Sequence, residues 1–185
     1  THLGHSFPTR RSSDLQGYSG GGVPSDREAT WLSGYNTNSA LYGFVRQVNQ
    51  IRNRAVSRNS AWVTYKAVPS QIDSQNVVLR KGTTGAQTVG VFSNKGAKSA
   101  SYTVTLSSST TGFTANQAVV EVLTCTAYTA DSSGNLVVAM SGGLPRVLYP
   151  TAQLSGSGVC VSSTGMSSHP LALLSFKLLL SLRLV

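Results

Sequence analysis

The stretch Val119–Cys160, VVEVLTCTAYTADSSGNLVVAMSGGLPRVLYPTAQLSGSGVC, decides the fold. Together with the preceding Ala118, it forms two runs rich in β-branched residues, 118–123 and 136–140. They are separated by Asp131–Asn135, whose residue types favour a tight reversal. We therefore predict that the two runs pair as a hairpin. Gly142, Gly143 and Pro145 break the second run, and Arg146–Pro150 is predicted as a last strand that ends at proline.

The sequence around this stretch alternates with period two between glycine turns, which is typical of short strands. The predicted strands are Trp62–Ala67, Asn76–Lys81, Gln87–Ser93, Ser101–Leu106, Val119–Thr126, Leu136–Met140 and Val147–Tyr149. So many short strands predict a mainly β fold, an antiparallel β-sandwich, over residues 60–160.

One helix is predicted before the strands. From Asn38, a candidate N-cap, apolar residues recur at helical spacing: Leu41, Tyr42, Val45, Val48 and Ile51. The apolar stripe of this helix needs a partner. We expect that partner to lie in a structure upstream of this sequence rather than in the sandwich core.

Cys125 and Cys160 are the only cysteines. In a chain that is poor in charge and rich in Ser, Thr and Gly, an even count favours one disulfide and an oxidising compartment; two free buried thiols are the alternative. No CxxC pair or histidine cluster has the spacing of metal ligands, so no metal site is predicted.

The composition bounds the class of protein. Only 11% of the 185 residues are charged, less than half of the usual quarter, which is typical of a secreted protein. The net charge of +9 comes from scattered basic residues: no run of Lys and Arg reaches three, and no basic patch has interleaved aromatic side chains. We therefore expect no binding of nucleic acid.

Both ends look foreign to the domain between them. Residues 1–15 show neither helical nor strand periodicity and match one reading frame of a sequencing adapter, so we interpret them as an artefact; a natural basic arm is the alternative. Residues 161–185 join a serine-rich segment to an apolar tail that two cations interrupt. A glycolipid-anchor signal, a read-through tail and a docked helix all remain open for it.

The segments Asp26–Tyr35, Leu79–Gly82, Phe92–Gly96 and Gly142–Pro150 resemble, in family order, the C-terminal part of fungal α-amylases of glycoside hydrolase family thirteen. The resemblance implies that residues 16–59 are the last loop and helix of a truncated (β/α)₈ barrel. It implies that residues 60–160 are the amylase C-terminal β-sandwich, with Cys125 and Cys160 as its disulfide.

By the same resemblance, the parent enzyme would hydrolyse α-1,4 links of starch or glycogen with retention, using paired carboxylates. The family's catalytic residues and calcium ligands would lie upstream of Gln16. This chain is then expected to contain no catalytic residue and no metal ligand, and to be inactive alone. The expected partners are an α-glucan and the missing barrel, with a secreted or cell-surface location and a lipid anchor as the only membrane contact.

One substrate-binding residue carries over from the family, Arg27, whose alternative role is an ion pair with Glu28 or another carboxylate. The family's paired Asp position is Val23, which cannot accept a hydrogen bond. Trp31 and Tyr35 are expected to pack under the helix. The missing hydrogen-bond acceptor at Val23 and the apolar C-terminal tail also fit a glycolipid-anchored 4-α-glucanotransferase of cell-wall synthesis. A non-catalytic β-sandwich that binds starch or the cell wall is the third interpretation. A structural role as a cap on the barrel is compatible with the first interpretation, the α-amylase.

Overall fold

Turns rich in Gly, Asn and Asp divide the chain into short strands that form two packed sheets. The computed structural model describes residues 35–160. Helix α1 spans Ala40–Arg58 and helix α2 spans Ser108–Thr111, and single turns of 3₁₀ helix lie at Ser60–Trp62 and Thr151–Gln153. The described strands are β1 (Val68–Gln71), β2 (Asn76–Lys81), β3 (Thr88–Ser93), β4 (Tyr102–Leu106), β5 (Ala118–Glu121), β6 (Thr126–Thr129), β7 (Leu136–Met140) and β8 (Arg146–Pro150).

Every strand pairs antiparallel with its neighbours. One sheet has the order β1-β2-β3-β8-β5-β6, and the other pairs β4 with β7. The core fills the space between the sheets with side chains of alternate strand positions, among them Val89, Val91, Leu106, Val138 and Leu148. The predicted antiparallel β-sandwich is therefore confirmed.

The pairing of the strands corrects the predicted hairpin. β5 pairs with β6 and β8, whereas β7 pairs with β4 in the other sheet. The reversal at Asp131–Asn135 thus carries the chain from one sheet to the other. The reason is burial: both runs present alternate apolar residues to the core from opposite sides, so they pack face to face instead of sharing a ladder.

Two predicted strands are also wrong. The run Val119–Thr126 is two strands, because the chain turns between Glu121 and Thr126 and Cys125 adopts a left-handed conformation with φ 58°. The run Trp62–Ala67 is no strand: Trp62 ends a 3₁₀ turn, is buried, and packs beside Gly82. β1 begins only at Val68.

Helix α1 begins one residue later than predicted, with Ser39 as its N-cap; the Ser39 hydroxyl accepts a hydrogen bond from the backbone N–H of Tyr42. As predicted, α1 lies outside the sandwich core, but part of its apolar stripe has its partner within this chain rather than upstream. Ile51 and Ala55 of α1 are buried on the outer face of the six-stranded sheet, the face turned away from the core. The helix therefore forms a third layer over β5 and β8.

Candidate functional site

The contact between α1 and the outer face of the sheet is built from side chains that alternate with the core residues. On β5 and β8, Val119 and Leu148 enter the core, while Val120 and Tyr149 point to the helix. The cluster on the helix side comprises Ile51, Ala55, Trp62, Val120, Val122, Tyr149 and Val159. β5 and β8 are thus covered on both faces, which makes them the centre of the described structure.

A disulfide holds the third layer in place. Cys125 and Cys160 are bonded, with their Cα atoms 5.3 Å apart, which confirms the predicted bond and excludes free thiols. The bond ties the turn after β5 to the segment Gly156–Cys160, and Val159 of that segment is buried against α1. Arg54 adds a second tie, because its Nε donates a 3.0 Å hydrogen bond to the carbonyl oxygen of Gln153.

Glu121 is a fully buried carboxylate at the end of β5. Its Oε1 accepts hydrogen bonds from the backbone N–H groups of Leu123 and Val147, at 3.1 and 3.0 Å. Its Oε2 accepts from the N–H and the hydroxyl of Thr124, at 2.8 and 2.5 Å. The carboxylate replaces the backbone acceptor that β8 loses where β5 ends, so its role is structural.

The other described carboxylates also stabilise turns. In the β1–β2 turn, the Asn76 side-chain amide holds the pKa of Asp73 below its usual value, with further help from backbone N–H groups. In the β6–β7 turn, the backbone N–H of Asn135 does the same for the pKa of Asp131. Each of the three acids between residues 35 and 160 therefore makes hydrogen bonds that stabilise a turn or the end of a strand.

The predicted binding position lies outside the described residues, since Val23, Arg27 and Trp31 precede residue 35. The predicted packing of Tyr35 under the helix is wrong, because its side chain is 60% exposed. Over residues 35–160 no group of three or more His, Cys, Asp and Glu side chains could hold a metal ion. In the same range no helix is long and apolar enough to span a membrane.

The sequence analysis did not identify two residues that hold the layers together: Glu121, which bonds the backbone of β8, and Tyr149, which packs in the helix-side cluster. Glu121 stands inside an apolar run, and a lone acid there is a usable signal that a buried carboxylate serves the backbone. Tyr149 is fully buried, and its hydroxyl has no hydrogen-bond partner among the described residues. Burial raises the pKa of the Tyr149 phenol, while Arg54 and Arg58 oppose the rise.

The two-sheet sandwich, the disulfide and the helix layer define a β-sandwich domain, in which the described acidic side chains stabilise the fold. The family model "Alpha-amylase, domain C" matches residues 69–168. The chain therefore belongs to the α-amylase domain C family, which confirms the resemblance seen in the sequence.

Relatives and solved structures agree with this family. The chain is 39% identical to α-amylase 1 of Schwanniomyces occidentalis over 158 residues, which is 85% of the chain and 30% of that protein. It is 48% identical to α-amylase 1 of Lipomyces kononenkoae over 160 residues, or 86% of the chain and 25% of that protein. An α-amylase structure from Malbranchea cinnamomea superposes with a TM-score of 0.71 and 38% identity, covering 81% of this chain and 31% of that one. The chain thus spans less than a third of the length of these proteins.

Proposed function

We propose that this chain is part of an α-amylase-like enzyme that acts on α-1,4-glucans, and that residues 60–160 form its C-terminal domain. The observation that carries the proposal is the family match over residues 69–168, together with relatives that are themselves named α-amylases. In this proposal residues 16–59 are the last loop and helix of the catalytic barrel. Catalysis and calcium binding belong to the rest of the enzyme.

The packing of α1 supports a role as a cap on that barrel. One row of residues crosses the outer face of the sheet through Pro69, Leu79, Gly90 and Val147. Val147 packs into the helix-side cluster, whereas Leu79 is 38% exposed. The surface that α1 covers therefore continues into an exposed strip, defined here as Val77, Leu79 and Phe92, which fits further contact with the upstream domain.

A substitution in the strip tests this role in the full-length enzyme. Val77→Asp would place a charge against the upstream domain, so we expect a lower melting temperature and a lower yield of active enzyme. Val137→Asp is the matched control, because Val137 is 55% exposed on β7 of the other sheet. Equal effects of the two substitutions would contradict a cap that acts through the strip.

Activity is tested by comparing this chain with the full-length protein expressed from the complete gene. We expect the full-length protein to release reducing sugar from soluble starch, to lose this activity with EDTA and to regain it with calcium. The 185-residue chain should release none. A full-length protein without activity on any α-glucan would contradict the proposal, and an active 185-residue chain would contradict the upstream location of the catalytic groups.

Two finer alternatives are separated by product analysis and binding. A 4-α-glucanotransferase would convert maltoheptaose into longer as well as shorter glucans, whereas a hydrolase yields shorter ones.

A non-catalytic starch-binding sandwich needs exposed aromatic rings on one face. Among the described residues the exposed aromatic side chains are Tyr35, before α1, and Phe92, on β3, which form no such row. We therefore prefer the hydrolase among the three functions, and we propose that the enzyme is secreted.

A further inference from the structure

A polar groove runs along one flank of α1, beside the segment Gly156–Cys160. Two adjoining cavities of about 360 and 300 Å³ form it, and both include the side chain of Gln50. Its other polar side chains are Arg46, Gln47, Asn53, Arg54, Ser57 and Ser157. None of these side chains belongs to the helix-side cluster.

Both walls of the groove are held rigidly. One wall is a helix of 19 residues, and the other is tied down by the disulfide and by buried Val159. Gly156 and Gly158 have positive φ and lie against Arg54 and Gln50: a side chain at Gly158 would come within 3.1 Å of Gln50 Nε2. The glycines thus leave room for these two side chains to lie in the groove. Rigid walls lower the entropic cost of binding a ligand.

The charge of the groove is positive and uncompensated within α1. The helix carries Arg46, Arg52, Arg54 and Arg58 and no acidic residue. Asp73 and Asp131 serve the β1–β2 and β6–β7 turns, and Glu121 the end of β5. The side chains of Arg46, Gln50 and Asn53 make no hydrogen bond or ion pair with another described residue. Within the described part of the chain, their donors are therefore open to a ligand that brings negative charge.

The groove combines side-chain amides with guanidinium groups, and this combination favours one kind of anionic ligand over another. A side-chain amide offers the same donor and acceptor as a peptide unit, so Gln50 and Asn53 can pair with an extended backbone. A phosphate ester would leave the amide oxygens without donors. Arg46 and Arg54 lie eight residues apart, about 12 Å along the helix axis. Two carboxylates four residues apart on an extended chain, about 13 Å, match that spacing and emerge on the same side.

We propose that this groove binds an extended acidic peptide segment whose two carboxylates, four residues apart, pair with Arg46 and Arg54.

The test measures binding of a fluorescein-labelled Gly/Ser peptide with two glutamates four residues apart to the 185-residue chain, by fluorescence anisotropy at low salt. We expect saturable binding that weakens with added salt. A peptide with glutamines in place of the glutamates should bind at least about fivefold more weakly. The absence of saturable binding, or equal binding of the two peptides, would overturn the proposal.

Two charge reversals on α1 separate the groove from a general effect of net charge. Arg46→Glu should weaken binding about tenfold, since it places like charges together. Arg52→Glu changes the net charge equally on an exposed residue about 160° around the helix from Arg54, so it should change binding less than twofold. Equal losses would show that only long-range charge acts and would overturn the groove. Arg54 is kept because it ties down Gln153, and matching thermal unfolding of both variants excludes misfolding. Displacement of the peptide by equimolar inorganic phosphate would also overturn the preference for a peptide.

Discussion

The backbone N–H of Val147 on β8 donates a 3.0 Å hydrogen bond to the buried carboxylate of Glu121 at the end of β5. One residue further, the N–H of Val122 donates to the carbonyl oxygen of Val147 at 2.8 Å. The side chain of Glu121 thus supplies an acceptor to the same β8 residue that the backbone still pairs with just beyond β5. The turn that it supports carries Cys125 and leads to the disulfide.

Because Glu121 is buried and accepts four hydrogen bonds, we expect its substitution to destabilise the fold. Glu121→Gln keeps the volume but turns an amide NH₂ toward N–H donors, so we expect a loss of about 1–3 kcal/mol in the free energy of unfolding. Thr124→Val removes only the hydroxyl donor and should cost about 1 kcal/mol or less. Urea unfolding followed by circular dichroism measures both. A neutral Glu121→Gln would show that the carboxylate is not required.

Removal of the disulfide should loosen the layer that contains α1. The bond closes a loop with a sequence separation of 35 residues, for which the loop-entropy relation predicts about 3–4 kcal/mol. Denaturation with and without dithiothreitol should show this difference for the native chain. The double variant Cys125→Ala/Cys160→Ala should be equally destabilised and insensitive to the reductant; a sensitive double variant would point to another target.

Tyr149→Phe should leave stability unchanged or raise it, within about 1 kcal/mol. The Tyr149 hydroxyl is buried without a hydrogen-bond partner among the described residues, so its removal ends a desolvation cost and preserves the ring packing. Because burial raises the pKa of this phenol, the folded state disfavours ionisation and loses stability as the pH rises above about 10. The variant should lose less stability than the native chain between pH 9 and 11, and a clear loss at pH 7 would reveal a partner for the hydroxyl.

A substitution at Gly134 tests how closely its turn approaches the backbone at Phe113. A Cβ at this residue would lie 2.5 Å from the carbonyl oxygen of Phe113, and the φ of 80° already disfavours side chains. Gly134→Ala should therefore cost more than about 2 kcal/mol, because backbone must move as well. Gly85 has a similar φ of 87° but open space, so Gly85→Ala should cost only about 1 kcal/mol. Thermal unfolding of the pair separates the steric clash from conformational strain.

The loss of folding stability at acidic pH should depend on Asp131. Hydrogen bonds lower its folded-state pKa below the unfolded value of about 3.9, so its stabilising effect is present above that pH and is lost as the pH falls through the folded pKa. Asp131→Asn should therefore destabilise the chain at pH 7. The variant and the native chain should converge near pH 2, as measured by urea unfolding at both pH values. A constant difference across this range would exclude titration of Asp131 as the cause.

The sequence by itself determined the elements whose signals are local. β2 and β7 have the predicted bounds, β8 spans the predicted Arg146–Pro150, and the cysteine pair, the sandwich class and the family followed from residue types and motifs. Turn chemistry and period-two alternation act over a few residues, so they can be seen without the fold. The turn at Leu123–Cys125 escaped this reasoning because the sequence around it contains no Gly, Pro, Asn or Asp to signal a turn.

Only the tertiary structure decided which strands pair and what covers them. β5 and β7 carry the same local pattern, yet they lie in different sheets because each covers one side of a shared core. The burial of Ile51 and Ala55 against β5 and β8 depends on long-range contact, and so does the hydrogen bond from Val147 to Glu121, 26 residues apart. Such contacts are selected by the burial of apolar surface and the satisfaction of buried polar groups across the whole domain, which no short window of sequence contains.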